Sequence, residues 1–145
     1  MAKLIIDNNQ IAEAFFENAR LVGIQCPVEA HRFVWMANRH FGYRFVYQNE
    51  GEIRMVAQKR EYEFPIYHCR ESNMELDHYL YLNNDDGKHL LAELKHIDFL
   101  WLLKGALGND AFINSLMNEL RKMEQVQLVI ELTNEKIKHK EHLVI

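Results

Sequence analysis

The order of apolar patterns along the chain predicts an α+β fold: a single mixed, mostly antiparallel sheet carrying two main helices. Three observations carry that reading. Ile97 to Lys104 is apolar on both faces, as a strand in the middle of a covered sheet is. Two amphipathic stretches with start and stop signals, 27–41 and 110–123, supply the helices. Alternating segments before and after each helix supply further strands. The plan is strand–helix–strand, a hairpin, then strand–helix–strand, loosely ferredoxin-like.

Each element has its own justification. Residues 9–19 fit two descriptions: Ile11, Ala12, Phe15 and Ala19 suit a helix, while a strand can begin near Phe16. Arg20 to Gln25 reads as a strand. Pro27 suits the first position of a helix that ends at Phe41, with Arg39 and His40 in its last turn and Gly42 just past it. Ala30, Phe33, Val34, Ala37 and Phe41 make its buried stripe. Tyr43 to Tyr47 alternates up to the Asn49-Glu50-Gly51 turn, and Glu52 to Gln58 returns as a short partner strand.

Glu61 to Cys69 and Asp77 to Asn83 form the next pair, with Tyr62, Phe64, Ile66 and His68 on one face of the first and Leu80 and Leu82 on one face of the second. Pro65 cannot donate to a ladder, so it marks an edge or a bulge. The polar run 83–88 is a turn by composition. In the apolar run, Ile97, Phe99, Trp101 and Leu103 fall on one side and Leu100 and Leu102 on the other. Asn109 caps a helix from Asp110 to Met123, striped by Phe112, Ile113, Leu116, Met117 and Leu120. Val126, Leu128, Ile130 and Leu132 alternate as a last strand.

A chain of 145 residues, with no linker or repeat, reads as a single domain over 1–145. It is 48% hydrophobic and 26% charged, in the range of globular proteins. A net charge of −4 argues against a phosphate-tracking surface. Arg32, Arg39 and Arg44, and Lys136, Lys138 and Lys140, are too sparse to reverse that balance. Cys26 and Cys69 form no disulfide framework and read as small buried hydrophobes. Residues 1–8 make no signal peptide, and no window approaches the roughly 18 apolar residues of a membrane span. Together these point to a cytoplasmic, reduced protein.

Glu93 and Asp98, five positions apart at the mouth of the apolar run, are the candidates for acid–base chemistry, with His96 beside them. The structural alternative has Asp98 accepting backbone N–H bonds at the mouth of its strand and Glu93 pairing across the sheet. Eight histidines are scattered along the chain. His68 and His78 can face each other across the hairpin, and His139 and His142 share a helical spacing, but Lys138 and Lys140 flank the latter pair. No zinc-protease motif, nucleophile elbow or phosphate loop is present, so no metal, cofactor or catalytic triad is assigned. Gly105 and Gly108 read as turn chemistry before the capped helix. Tyr79 and Tyr81 share a strand face with Asp77, and Tyr43, Phe45 and Tyr47 share another. Such rows serve as half-buried faces or a dimer surface more readily than as base-stacking platforms when basic residues are few. Trp35 and Met36 fall at the border of the first helix's stripe, where a partner can cover them.

The block Leu91-Ala92-Glu93-Leu94-Lys95-His96-Ile97-Asp98-Phe99 resembles the signature of the I-P-E-x-x-x-V-D-Y family of small bacterial proteins. Leu21-Val22-Gly23-Ile24, the segment Arg32 to Asn38 and Leu102-Leu103-Lys104-Gly105 extend the likeness in the same order and spacing. Glu93 and Asp98 carry over directly; Ala92 stands where the family has proline, and Phe99 where it has tyrosine. The resemblance implies a bacterial cytoplasmic protein and brings with it no reaction, cofactor or catalytic residue.

The sequence therefore favours a non-enzymatic domain that binds another protein or a second copy of itself, as a homodimer. The alternative is a small enzyme or ligand-binding domain with Glu93 and Asp98 in one pocket. Single-stranded nucleic acid comes last, because of the net charge.

Overall fold

A strand that is apolar on both faces needs a neighbour at each edge and a cover on each side, and Phe99–Lys104 has all four. The computed structural model describes residues 19–48, 53–57, 60–85, 88–105, 109–133 and 143. In chain order these form β1 (Ala19–Gln25), α1 (Ala30–Phe41), β2 (Val46–Tyr47), β3 (Ile53–Ala57), β4 (Arg60–Phe64), β5 (Ile66–Glu71) and β6 (Leu76–Leu82). There follow β7 (Asn84–Asp85), β8 (Lys88–His89), one 3-10 turn at Ala92–Leu94, β9 (Phe99–Lys104), α2 (Asp110–Lys122) and β10 (Leu128–Glu131).

Six strands make one sheet in the order β10-β1-β9-β6-β5-β2, and its five pairings are all antiparallel. The fold class is α+β, as the sequence predicts. No parallel neighbours arise because the chain that follows each helix passes at least one strand: β9 and β10 run the same way with β1 between them, and β1 and β2 with β9, β6 and β5 between them. Both helices cover one face. Phe33 of α1 stacks on Phe99 at 4.3 Å, and Trp101 lies edge-on to Phe41 and Phe45. Ile113, Leu116, Met117 and Leu120 of α2 complete that layer. The opposite face buries Leu100 and Leu102 beneath Leu90, Leu91, Leu94 and Ile97, with Phe64, Ile66 and Tyr81 alongside. Among the described residues, no helix is long and apolar enough to cross a membrane.

The local signals act where the sequence places them. Gly42 ends α1 at φ 71°, a left-handed conformation that glycine adopts without strain. Asn109 caps α2 by accepting the Phe112 N–H at 3.0 Å. Gly105, at φ 150°, passes so close to Glu75 that an added Cβ would lie 2.7 Å from its carbonyl oxygen. At the β10 edge, Arg121 donates to the Val129 carbonyl at 3.0 Å. Arg20 joins this edge to the start of α2 by pairing with both Glu131 and Asp110.

Several expectations are corrected. The helix begins at Ala30, not Pro27, because Cys26 to Val28 closes a tight turn by a Val28 N–H bond to the Cys26 carbonyl. Ile53–Ala57 does not return along Tyr43–Tyr47; it pairs with β4 in a separate ribbon. Pro65 divides the expected strand 61–69 in two, β4 going to that ribbon and β5 to the main sheet. Ile97 packs with Leu100 and Leu102 instead of with Phe99, because it belongs to the turn before β9 and not to its alternation. The helix-or-strand question over residues 9–19 falls, apart from Ala19 in β1, outside the described residues.

Candidate functional site

The segment carrying Glu93, His96 and Asp98 is wrapped around one side chain, Asn83. It follows β6 and is fully buried. Its Oδ1 accepts the Leu91 N–H at 2.8 Å, and its Nδ2 donates to the Leu94 and Ile97 carbonyls at 3.0 and 2.8 Å. Its backbone N–H donates to the Asp98 carbonyl, and its carbonyl accepts from Leu90. A buried amide with both side-chain donors and its acceptor engaged fixes the path of the chain around it. The sequence reading places Asn83 at a solvated turn and misses this role.

Asp98 ties the same segment to β1. Its backbone N–H donates to the Ile24 carbonyl, and its Oδ2 accepts the Cys26 N–H at 2.8 Å. Burial raises the pKa of its carboxyl, while the Cys26 bond and the charges of His89 and His96 lower it. His96 is exposed; Glu93 is half-buried within the 3-10 turn. Ala92 is the first residue of that turn and follows an extended Leu91 (φ −112°, ψ 95°), a setting that accepts proline. The bend therefore forms here with alanine at that position. Burial, with Asp98 adding to it, pushes the Cys26 thiol up to about 11, which suits a structural thiol and not a nucleophile.

His68 and His78 do not meet. Across the β5–β6 hairpin, His68 lies opposite Tyr79 and Cys69 opposite His78, so the two rings point to opposite faces. Each finds its own carboxylate. His68 Nε2 is 2.7 Å from Asp77, which also pairs with Arg70. His78 Nε2 is 2.7 Å from Glu71 Oε1, and its Nδ1 accepts the Trp101 indole N–H at 3.0 Å. An indole nitrogen only donates, so the neutral imidazole must carry its proton on Nε2, directed at Glu71. Burial lowers the pKa of His78, against the opposing pull of Glu71. Tyr43 also hydrogen-bonds Glu71, and burial raises its phenol. This chain of side chains lies beside a cleft of about 410 Å³ bordered by Arg44, Ser72 and Asn73. Period-two alternation from Leu76 through Leu80 was the signal that puts His78 on the helix-covered face. Among the described residues, no group of three His, Cys, Asp or Glu is placed to hold a metal ion; His139 and His142 lie outside them.

The aromatic rows are largely core. Tyr81 is buried with its hydroxyl donating to the Leu143 carbonyl at 2.8 Å, and Tyr79 stacks on His68. Phe45 is buried, which leaves Val46 and Tyr47 exposed on β2. Trp35 stands apart from all of these. It is 58% exposed, with the Arg39 guanidinium 5.3 Å from its ring centroid. Beside it a groove of about 530 Å³ runs between α1 and the end of α2, bordered by Met36, His40, Lys122, Met123 and Glu124.

No model of a known protein family matches the chain, and no curated protein does.

Proposed function

We propose that this chain is a non-enzymatic protein-interaction domain that receives a partner protein on the groove between α1 and α2. The observation that carries this is Trp35: a large aromatic left more than half in water, with a cation over its ring, at the rim of an open groove. Tryptophan and arginine are the residues most enriched where binding energy concentrates. Asp98 supports the reading from the other side, since its carboxylate is committed to the Cys26 backbone and its neighbours to Asn83. An enzyme built on Glu93 and Asp98 draws less support from that arrangement.

Two free, buried cysteines support a reducing, cytoplasmic setting. Kinship with the I-P-E-x-x-x-V-D-Y family is supported by the bend at Ala92 and the anchor at Asp98. The order β10-β1-β9-β6, with a helix after β1 and another after β9, supports a ferredoxin-like core with β2 to β5 inserted. Self-association is a second reading, favoured by exposed Val46 and Tyr47 on the two-residue edge strand β2.

Photo-crosslinking tests the main reading. A benzophenone side chain replaces Met36 in one variant and the exposed Asn114 of α2 in another, in cells that make the protein. The expected result is a discrete adduct from position 36 that Trp35→Ala removes. Equal adducts from both positions would reject the groove as the binding surface, and sedimentation showing a dimer that Val46→Lys dissociates would favour self-association.

A further inference from the structure

We infer that the segment received on α1 is acidic: two carboxylates on one face, flanking one apolar residue. This rests on the groove reading above and adds the chemistry of the partner. Helix α1 contains no Asp or Glu, in a chain with 21 of them and a net charge of −4. Its solvent face presents Arg32, Trp35 and Arg39, spaced three and four residues apart and therefore in one row. Neither arginine pairs with a carboxylate among the described residues; Arg39 rests on the Trp35 ring instead. The carboxylates nearby lie at the N-cap of α1, on α2 and just beyond α2. Glu29 pairs with His31 and Glu119 with His40 and Lys122, while Glu124 borders the groove from beyond α2. Trp35 and Arg39 border the groove, and Arg32 continues the row beyond it, beside Glu29 and His31; among the described residues both guanidinium groups are left for a carboxylate of the partner.

Geometry selects among occupants. Seven residues of helix separate Arg32 from Arg39, about 10 Å along the axis; in an extended segment, acidic residues four apart share a face with the residue midway between them and span about 13 Å, within reach of two arginine side chains. The apolar residue between them meets Trp35. A second copy does not fit this row: two-fold pairing centred on Trp35 sets Arg32 of one chain against Arg39 of the other, with no acid between. A nucleic-acid strand asks for a denser line of cations than two arginines on an acidic protein.

Peptide display on the full chain, run in parallel on the R32E/R39E variant, tests this. The expected wild-type selection is enriched in Asp and Glu around an apolar residue. Binding of those peptides falls at least about tenfold in R32E/R39E and in Trp35→Ala, and R32E/R39E selects Lys and Arg in their place. Peptides that need Trp35 but are neutral, or that bind R32E/R39E unchanged, would overturn the acidic partner and leave the groove reading standing. Peptides indifferent to Trp35 would overturn both. Competition by oligothymidylate, or a wild-type dimer that R32E/R39E alone dissociates, would assign the row to nucleic acid or to a second copy and reject the proposal.

Discussion

Strand β6 bears two buried polar residues that are satisfied in opposite ways. Asn83, just past its end, is held by backbone groups of Leu91, Leu94 and Ile97. His78, within it, is held by the side chains of Trp101 and Glu71. A neutral amide against peptide groups is indifferent to pH. An imidazole between an indole donor and a carboxylate depends on its own proton. The same strand therefore contains one fixed joint and one titratable joint, on opposite faces of the sheet.

The fixed joint is the more costly to break. Asn83→Ala leaves the Leu91 N–H and the Ile97 carbonyl buried without partners, while the Leu94 carbonyl keeps the Ile97 N–H, and is expected to cost about 3 kcal/mol at roughly 1–3 kcal/mol per orphaned group. A urea titration reads this directly; a loss below about 1 kcal/mol would mean that the segment is held by its leucines alone. His78→Phe orphans only the Trp101 N–H and one bond to Glu71, with an expected cost of about 2 kcal/mol.

Acid separates the two joints. Burial holds the His78 imidazole below its ordinary pKa of 6.5, so the folded state favours the neutral ring. That stabilisation is complete above pH 6.5 and is lost as pH falls toward the lower folded value. Protonation also places a second donor against the Trp101 indole. The wild-type urea midpoint should therefore drop on going from pH 7 to below 6.5, with a shallower drop in His78→Phe and an unaltered one in Asn83→Ala. In a Trp35→Phe background the remaining tryptophan fluorescence follows the same transition from inside the core.

Two smaller effects sharpen the role of the motif. Asp98→Asn keeps an acceptor for the Cys26 N–H and removes a charge that burial disfavours. It should stay within about 0.5 kcal/mol of wild type, whereas Asp98→Ala should lose about 1–2 kcal/mol in the same denaturation assay. Ala92→Pro, at the start of the 3-10 turn, should raise the midpoint by the equivalent of about 0.5 kcal/mol through the unfolded chain. A loss in its place would show that the turn does not accept proline at position 92.

What the sequence conveyed and what it withheld follow from the range of the interactions. Apolar side chains on both faces of 99–103 placed β9 at the centre, and Asn109 and Gly42 marked helix ends, because these signals act within a few residues. The ribbon of β3 with β4 was not legible, since two strands of similar pattern compete for one partner and Pro65 decides between them only in three dimensions. Asn83 sits in an Asn-Asn-Asp-Asp-Gly run whose composition describes a solvated turn; its burial depends on eight later residues folding back over it. His78 was within reach, because alternation already put it among Leu76 and Leu80. Of the motif, the anchoring of Asp98 by a backbone N–H was legible; which backbone group it meets, 72 residues away, was not.

The Arg121 guanidinium on the Val129 carbonyl has a meaning beyond the single molecule. Open strand edges invite neighbouring chains to add, and every addition needs an outward-facing acceptor. At β10 one such acceptor is occupied by a charged side chain that a newcomer must first displace, bringing its positive charge up against the approaching backbone. The contact thus works as a gatekeeper of solubility: its removal should tell first on the concentration at which the protein stays clear, well before it tells on the temperature at which it unfolds.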